Sequence, residues 1–328
     1  MLTLGIPNYN RKDAICANIK EMLDEGIHEK LNILIIDDAS PDGAYDALLE
    51  TCAGTSIKVI KNDNNLGYAG NCFRLFEECD TEYIVINSNE DPLILASIDA
   101  LKEFLDRYNP VFVSTQFYLN KHGKEILYRG RQAISLMKPD EVHTASFYIS
   151  GLVYKIAESL ASINLIEDWL LKPGGAMYPQ TLVASDLFLS YPEHCYWWDK
   201  PIARKAFQCE SEIVDKVSGK YNHMPARWDQ FKFYMDFYQS KVDEAPNIEY
   251  KNNAKVMLDN QCKNFINTIR HAINTERPDL LEGFDTGAKE FYCNSLLKRV
   301  HRLLKRLIKE PVTTTKIIFN KFTRIIGN

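Results

Sequence analysis

The sequence predicts an α/β fold in which a Rossmann-type sheet with flanking helices precedes an all-helical C-terminal extension. Residues 1–90 alternate short apolar runs with amphipathic helical patterns, an order typical of βαβ units around a parallel sheet. After residue 225 the pattern is only helical. The chain has 328 residues, of which 45% are hydrophobic, so it can bury one large core or two ordinary ones.

The individual elements follow from the spacing of the apolar residues. Residues 2–6 and 31–37 are apolar runs, and the second ends in two aspartates, as expected for a strand buried on both faces. Between them, apolar residues from Ala14 to Leu23 recur on one helical face. The next predicted elements are helices at 44–52, 68–79 and 93–108 and strands at 56–61, 82–87 and 111–115. The last are a hairpin around 121–123 and helices near 155–163, 179–190, 226–240, 250–275 and 286–309.

Polar side chains collect where the predicted strands end. In a parallel sheet, ligands bind beyond the carboxyl ends of the strands. The residues at those ends are Asn8, Tyr9, Asp37, Asp38, Asn87, Asn89 and Asp91. We therefore expect a ligand site at this edge of the sheet.

Composition excludes several classes of protein. With 17 Tyr, 16 Phe and 4 Trp, the chain is too aromatic to be disordered. The eight cysteines form no Cys-x-x-Cys pair, so we expect reduced thiols in the cytoplasm and no zinc site. No leader peptide and no bilayer-spanning apolar stretch is recognisable. We expect no nucleic-acid partner.

The formal net charge of −5 is unevenly distributed. Residues 295–328 hold nine Lys or Arg side chains against one acid, Glu310. Between 296 and 309 the apolar and basic residues fall on opposite helical faces, which is the composition of an in-plane membrane helix. Docking on the acidic body of the protein or on a second subunit is the alternative. We therefore predict an α/β domain at 1–225, a helical extension at 226–294 and a membrane-associating tail at 295–328.

Four motifs follow one another in the first part of the chain. They are IPNYNRK (6–12), IIDDASPDG (35–43), NNLGYAGN (64–71) and YIVINSNEDPL (83–93). In this order they resemble family 2 glycosyltransferases of the GT-A type. The segment FYISGLVYK (147–155) is similar to the part of that family that faces the acceptor. Around SNEDP and YPQ the chain most resembles bacterial transferases of the abequosyltransferase-like branch, which build O-antigen, lipooligosaccharide or capsule.

The resemblance implies a nucleotide-sugar donor, with a UDP-sugar expected first. Tyr9 offers an aromatic face to the base, and Pro7 fixes the turn that leaves the first strand. Asp38, rather than Asp37, is the implied nucleotide contact. Gly67 permits close backbone approach, and Asn71 can hydrogen-bond nearby. Taken singly, these motifs could also be turns and helix caps.

The acidic motif departs from the family pattern. If SNED corresponds to a family SDED, Asn89 replaces the first aspartate and Asp91 keeps the second. The resemblance implies a divalent cation, Mn²⁺ or Mg²⁺, with Asp91 as its direct ligand and Asn89 assisting. A helix N-cap before Pro92 and a reaction that needs no metal ion remain alternatives.

The catalytic base has two candidates. An inverting transferase must deprotonate the acceptor hydroxyl, and the family usually supplies a carboxylate from a Glu-Asp pair. Glu167-Asp168 matches that pair but lies early in the chain, while residues 178–180, where the spacing places it, are Tyr-Pro-Gln. Asp186 is the second candidate. A helix-cap or surface role is the alternative for each.

These interpretations together predict an inverting glycosyltransferase. It would move one sugar to a glycan, expected to be lipid-linked, at the inner face of a bacterial membrane, with homo-oligomerisation possible. Two alternatives stay open: a catalytically impaired nucleotide-sugar-binding or scaffold protein, and a nucleotidyltransferase on a related α/β fold.

Overall fold

The computed structural model describes residues 1–121, 124–128, 131–170, 172, 178–205 and 224–276. The predicted tail at 295–328 and the predicted helix at 286–309 lie outside these residues. Within them the dominant feature is a single nine-stranded sheet. Helices pack on both faces, so the α/β fold class is confirmed.

The first half of the sheet is parallel, as predicted. Its strands are β1 (Leu2–Asn8), β2 (Asn32–Asp37), β3 (Lys58–Lys61) and β4 (Tyr83–Ile86). The connecting helices are α1 (Lys12–Asp24), α2 (Ala44–Thr51) and α3 (Gly67–Glu77), and α4 (Leu95–Tyr108) follows β4. Side chains on one face of α1, among them Ile15, Ile19 and Met22, are fully buried, because its apolar residues recur at helical spacing. Asn8 stands opposite Asp37 in the register of β1 and β2, so the polar strand ends meet.

The second half of the sheet, which lies beyond the βαβ pattern of residues 1–90, is mixed. Its strands are β5 (Phe112–Lys121), β6 (Lys124–Tyr128), β7 (Ser135–Leu136), β8 (Leu152–Lys155) and β9 (Cys195–Lys205). The strand order in the whole sheet is β3-β2-β1-β4-β8-β5-β9-β7, and β6 pairs with β5. Strand β8 lies antiparallel between β4 and β5, and β9 runs parallel to β5. Consequently β5 and β9 point in the direction of β4 and extend past the edge where β4 ends.

Strand β9 was not predicted. It begins with Cys195-Tyr196-Trp197-Trp198. Three of these four side chains are buried in the core. The register between β5 and β9 shifts around Gln116, and this irregularity breaks the simple alternation that sequence patterns reveal.

The remaining helices are α5 (Val142–Ser146), α6 (Ile156–Leu170), α7 (Pro179–Ser190), α8 (Met224–Asp243) and α9 (Ile248–Glu276). Short 3₁₀ helices occur at Ile27–Glu29 and Pro192–His194. Apolar side chains of α8 and α9 belong to the same hydrophobic cluster as those of α3, α6 and α7. The helical extension thus shares a core with the α/β part, although its composition changes near residue 225.

No helix in the described part of the chain combines the length and apolarity that a bilayer span requires.

Candidate active site

The site begins where β1 and β2 end side by side. Asp37 is fully buried and accepts hydrogen bonds from Asn8 Nδ2 at 2.8 Å, Ser40 Oγ at 2.6 Å and the Ser40 N–H at 3.0 Å. Both carboxylate oxygens of Asp37 are therefore used by the protein itself. Its role is to hold the two strand ends and the following turn together.

Asp38 is the neighbouring carboxylate, and its arrangement differs. Its Oδ1 accepts hydrogen bonds from Asn62 Nδ2 at 2.8 Å and from the Leu66 N–H at 2.7 Å, which fixes the loop before α3. Its Oδ2 makes none of the hydrogen bonds found among the described residues. Ala39 has a φ of 55°, so the chain turns sharply just after the carboxylate. Asp38 can thus present one oxygen to a ligand while the other holds the loop.

Asn71 and Gly67 shape this loop from α3. Asn71 is buried; its Nδ2 donates to the carbonyls of Asn8 and Ile36, each at 3.2 Å, and its Oδ1 accepts from Asn62 at 3.2 Å. Gly67 starts α3 with a φ of 74°, in the left-handed region that favours glycine. The geometry of Asn71 supports a positioning role, and its contact with a nucleotide stays a prediction.

Pro7 and Tyr9 lie at the end of β1. Pro7 is paired with Ile36 in the sheet register and is partly exposed. Tyr9 follows the strand with 47% of its surface exposed, and Asn10 then turns the chain with a φ of 52°. An exposed aromatic ring beside Asp38 is available for stacking on a flat ligand.

The loop after β4 is held by asparagine amides. Asn89 Nδ2 donates to Asn8 Oδ1 at 2.8 Å, and Asn18 Nδ2 donates to the Asn89 carbonyl at 3.1 Å. Asn87 Nδ2 bonds to the backbone carbonyl of Asp91. These bonds place Asn89, which is partly exposed, beside the end of β1 as predicted.

Asp91 is fully buried at the end of the same loop. Its Oδ2 accepts hydrogen bonds from the Tyr148 hydroxyl at 2.5 Å and from Ser150 Oγ at 2.6 Å. Ser150 Oγ also accepts the Ser88 N–H at 3.0 Å. Burial, and after it the charge of Asp91, raises the pKa of Tyr148 far above its usual range, so the hydroxyl keeps its proton and donates to the carboxylate. Asp91 thereby ties the β4 loop to the segment that precedes β8.

A divalent cation bound here together with a substrate would need protein oxygen atoms that face the substrate. Oδ2 of Asp91 already accepts hydrogen bonds from two hydroxyl groups of the protein, so it does not meet this need. Asn89 and Glu90 are partly exposed, and no group of three His, Cys, Asp or Glu side chains suited to a metal occurs among the residues described. The residues fit a cation that Asn89 and Glu90 share with oxygens of a bound ligand. Direct ligation by Asp91 stays a prediction, but its contacts favour a positioning role.

The end of β9 closes this side of the site. The Ile94 N–H donates to the Ile202 carbonyl at 2.8 Å, and the Arg204 N–H donates to the Pro92 carbonyl at 2.9 Å. The ammonium group of Lys205 lies over the ring of Tyr148, 4.9 Å from the centroid. The unpredicted strand therefore carries two cationic residues to the acidic loop.

The two candidate bases occupy different environments. Asp168 is exposed in the last turn of α6, where Trp169 packs edge-on against Phe233 and Phe237. Helix α6 begins at the opposite edge of the sheet, because β8 runs antiparallel to β4 and its last residue, Lys155, is paired with Tyr83. Asp186 is 3% exposed, and its Oδ1 forms an ion pair of 2.5 Å with Lys241 of α8. A general base must reach a substrate hydroxyl, so this geometry favours Asp168 over Asp186. The identity of the base stays a prediction.

Aromatic residues flank the site beside α7. Gln180 is buried near the start of α7; its Oε1 accepts from the Tyr68 hydroxyl at 3.3 Å and its Nε2 donates to the Phe147 carbonyl at 3.1 Å. The rings of Phe147 and Tyr178 lie 4.5 Å apart, and Phe147 and Tyr68 are 39% and 36% exposed. These exposed rings adjoin the loop that Asp38 holds.

Residues 3–157 match the sequence profile of Glycosyl transferase family 2. The match identifies residues 3–157, just under half of the chain, as a family 2 glycosyltransferase domain. Solved structures with the same fold include S. aureus TarS 1–349 in complex with UDP-GlcNAc, at 14% identity over 85% of this chain and 83% of that chain, with a TM-score of 0.59. The mannosyltransferase PcManGT from Pyrobaculum calidifontis, in complex with GDP-Man and Mn²⁺, aligns at 12% identity over 97% and 83%, with a TM-score of 0.51. A search of curated proteins found no match.

The glycosyltransferase domain brings most of the predicted donor residues to one edge of its sheet. Pro7, Tyr9, Asp38, Asn71 and Asn89 are connected there through direct contacts or neighbouring positions. Tyr148, Ser150 and Lys205 join them, although sequence reasoning missed all three. The first two lie in the quoted segment FYISGLVYK, so a signal existed, but their contact with Asp91 depends on how β8 pairs.

Proposed function

We propose that this glycosyltransferase moves a single sugar, with inversion, from a nucleotide-sugar donor to a glycan acceptor. The observation that carries the proposal is the environment of Asp38 in a family 2 domain. One oxygen of this buried carboxylate accepts the hydrogen bonds that fix the loop before α3, and the other makes no hydrogen bond among the described residues. A carboxylate oxygen beside an exposed tyrosine suits a base and ribose, which offer N–H and O–H donors.

The donor is proposed to be a UDP-sugar first and a GDP-sugar second. Both kinds of nucleotide sugar are present in the structures that share the fold, TarS with UDP-GlcNAc and PcManGT with GDP-Man. Tyr9 would stack on the base, and Asp38 would accept from the base or the ribose. The diphosphate would then lie over Asn89, since Asn89 is bonded to Asn8 at the end of β1.

A divalent cation belongs to the proposal, because PcManGT was solved with Mn²⁺. Asn89 and Glu90 would hold it together with diphosphate oxygens, and it would neutralise charge on the leaving group. Asn89 contributes a neutral oxygen, so this loop supplies less negative charge to a cation than a pair of aspartates would.

The chemical step requires a base on the acceptor side. We propose that Asp168 takes the proton of the acceptor hydroxyl as its oxygen attacks the anomeric carbon. The bond from that carbon to the diphosphate oxygen breaks, and the nucleoside diphosphate leaves with the electron pair. Attack on the face opposite the leaving group inverts the anomeric centre. The exposed rings of Phe147 and Tyr68 suit stacking on the acceptor sugar.

The acceptor is proposed to be a lipid-linked glycan of the bacterial surface, of the O-antigen, lipooligosaccharide or capsule kind. The basic amphipathic segment 295–328, as read from the sequence, would hold the enzyme on anionic lipid at the cytoplasmic face. In this layout 1–225 is the catalytic domain and 226–294 the helical extension. Homo-oligomerisation and the absence of a nucleic-acid partner belong to the same proposal.

A thermal-shift screen of the full chain against UDP-, CDP-, GDP- and dTDP-sugars, each with Mn²⁺ or EDTA, tests donor binding. We expect one nucleotide class to raise Tm, since a ligand at about 100 times its Kd adds about 2.7 kcal/mol to the free energy of unfolding. Donor hydrolysis with that sugar then tests catalysis. If no nucleotide sugar shifts Tm, the proposal fails.

A catalytically impaired binding protein is the second candidate, and the neutral Asn89 in the acidic motif favours it. It predicts a Tm shift without donor hydrolysis or transfer. Release of pyrophosphate from a nucleoside triphosphate would instead indicate the nucleotidyltransferase alternative.

A further inference from the structure

Lys205 is a cation that the motifs do not account for. It is the last residue of β9, a strand aligned with the part of β5 that extends past the end of β4. The isolated pairing of Leu93 with Ala203, and the bond from the Arg204 N–H to the Pro92 carbonyl, hold this strand end against the loop that contains Asn89 and Asp91. Pairing between segments that are far apart in the sequence therefore places Lys205 at the loop that contains Asn89 and Asp91.

A continuous series of contacts connects Lys205 to the nucleotide end of the site. Lys205 lies over the ring of Tyr148, and the Tyr148 hydroxyl donates to Asp91. Asp91 closes the loop in which Asn89 bonds to Asn8, and Asn8 in turn bonds to Asp37, the neighbour of Asp38. Between the nucleoside side at Asp38 and the cation at Lys205 lies the loop where a diphosphate would sit.

The charge balance of this loop calls for a cation. Asn87 and Asn89 are neutral, while Asp91 and Glu90 are carboxylates that repel a diphosphate. Lys205 is partly exposed and takes part in none of the ion pairs found among the described residues. A lysine ammonium is a compact charge with three donors, and it binds phosphate oxygens well.

We propose that Lys205 binds the diphosphate of the nucleotide-sugar donor and, with any cation at Asn89 and Glu90, offsets its charge. This inference rests on the proposed function and names the residue that recognises the phosphates. Lys205 would then stabilise the departing nucleoside diphosphate as negative charge develops on it. The ring of Tyr148 positions the ammonium, and Asp91 positions Tyr148.

The test measures binding of UDP and GDP, and of uridine and guanosine, by isothermal titration calorimetry with Mn²⁺ and with EDTA. The variants are Lys205→Gln, Lys205→Arg and a matched control, Lys200→Gln, which removes an exposed lysine of the same strand. We expect Lys205→Gln to weaken binding of the preferred diphosphate by about tenfold or more, as for loss of one charge-assisted hydrogen bond. Lys205→Arg should restore most of the affinity, and nucleoside binding should not change.

Two results would overturn the role of Lys205 and leave the proposed function in place. One is equal diphosphate affinity in Lys205→Gln and Lys200→Gln under both conditions. The other is an equal loss for nucleoside and diphosphate, which would show that the lysine does not read the phosphates. If neither the wild type nor Lys200→Gln binds UDP or GDP, the proposed choice of donor is wrong as well. Equal Tm values for the three variants show that folding is intact.

Discussion

The two halves of the sheet position their site residues by different means. In the parallel half, β3-β2-β1-β4, polar side chains at strand ends bond to one another, as Asn8 does to Asp37 and Asn62 to Asp38. In the mixed half, β5 and β9 extend past that edge, so that β9 brings Lys205, and the segment before β8 brings Tyr148 and Ser150, to the loop after β4. Residues of the sequence motifs therefore form one side of the site, whereas the pairing register of the strands brings residues to the other side.

The largest expected effect concerns the mixed half, because Asp168 lies on α6, the helix that follows β8. Asp168→Asn should lower kcat for sugar transfer by about 10²–10⁴-fold, since it removes the proposed general base. Tm should stay near the wild-type value because Asp168 is exposed. Transfer to acceptor under saturating donor, with the donor identified by the screen, measures this.

Asp186→Ala is the matched control for that variant. It leaves Lys241 unpaired in a buried setting, so the free energy of unfolding should fall by about 3 kcal/mol. The protein that remains folded should keep a kcat close to wild type. A wild-type kcat for Asp168→Asn, together with a stable but inactive Asp186→Ala, would reverse the two roles.

The next effect tests the parallel half. Asp38→Asn can keep Oδ1 as acceptor for Asn62 and Leu66, but it places an amide where the ligand-facing oxygen was. We expect UDP or GDP affinity to fall about 10–100-fold, as for a charge-assisted hydrogen bond. Asp37→Asn is the control, because both of its oxygens are used internally. It should lose stability without a comparable loss of affinity, and equal affinity losses would contradict the distinction.

The smallest effect concerns the clamp that fastens residues 131–141 to β9. Glu141 pairs with Arg131 at 2.5 Å and accepts the Trp197 indole N–H at 3.0 Å. Burial opposes ionisation, but hydrogen bonds from the Lys138 N–H, Arg131 and Trp197 outweigh it and lower the pKa of Glu141 below its ordinary 4.5. Such a group stabilises the fold above its unfolded pKa, and that contribution is lost as pH falls through the folded pKa.

Glu141→Gln should therefore cost about 1 kcal/mol at pH 7, and the difference from wild type should shrink as pH falls towards 4. Urea unfolding of both proteins across this range measures it. A difference that does not vary with pH would assign the clamp to packing instead of charge.

The parallel half could be predicted from sequence because its signals are local. Apolar runs such as 31–37 end in polar residues, and the chain order of the motifs follows the order of βαβ units. These local signals alone predicted that Asp38 lies at the end of a strand. Predicted and observed strand bounds there differ by no more than two residues.

The mixed half could not be predicted in the same way. The spacing of apolar residues does not reveal that β8 lies between β4 and β5. Unless this placement is known, the sequence cannot show that Tyr148 and Lys205 lie near Asp91. The ion pair of Asp186 with Lys241 joins two helices 55 positions apart, so spacing could not reveal it. Local patterns specify elements, whereas pairing across long sequence separations depends on the whole core.

The insertion of β8 beside β4 also has a consequence for biosynthesis. Strand β4 ends at Ile86, but the strand that covers its free edge begins only at Leu152. At a synthesis rate of roughly 5–20 residues per second, that edge waits for several seconds after β4 is made. During this interval a fully apolar strand, Tyr83–Ile86, lies at the border of the nascent sheet. Until β8 pairs with it, this edge presents unpaired backbone N–H and C=O groups on which another strand could pair wrongly.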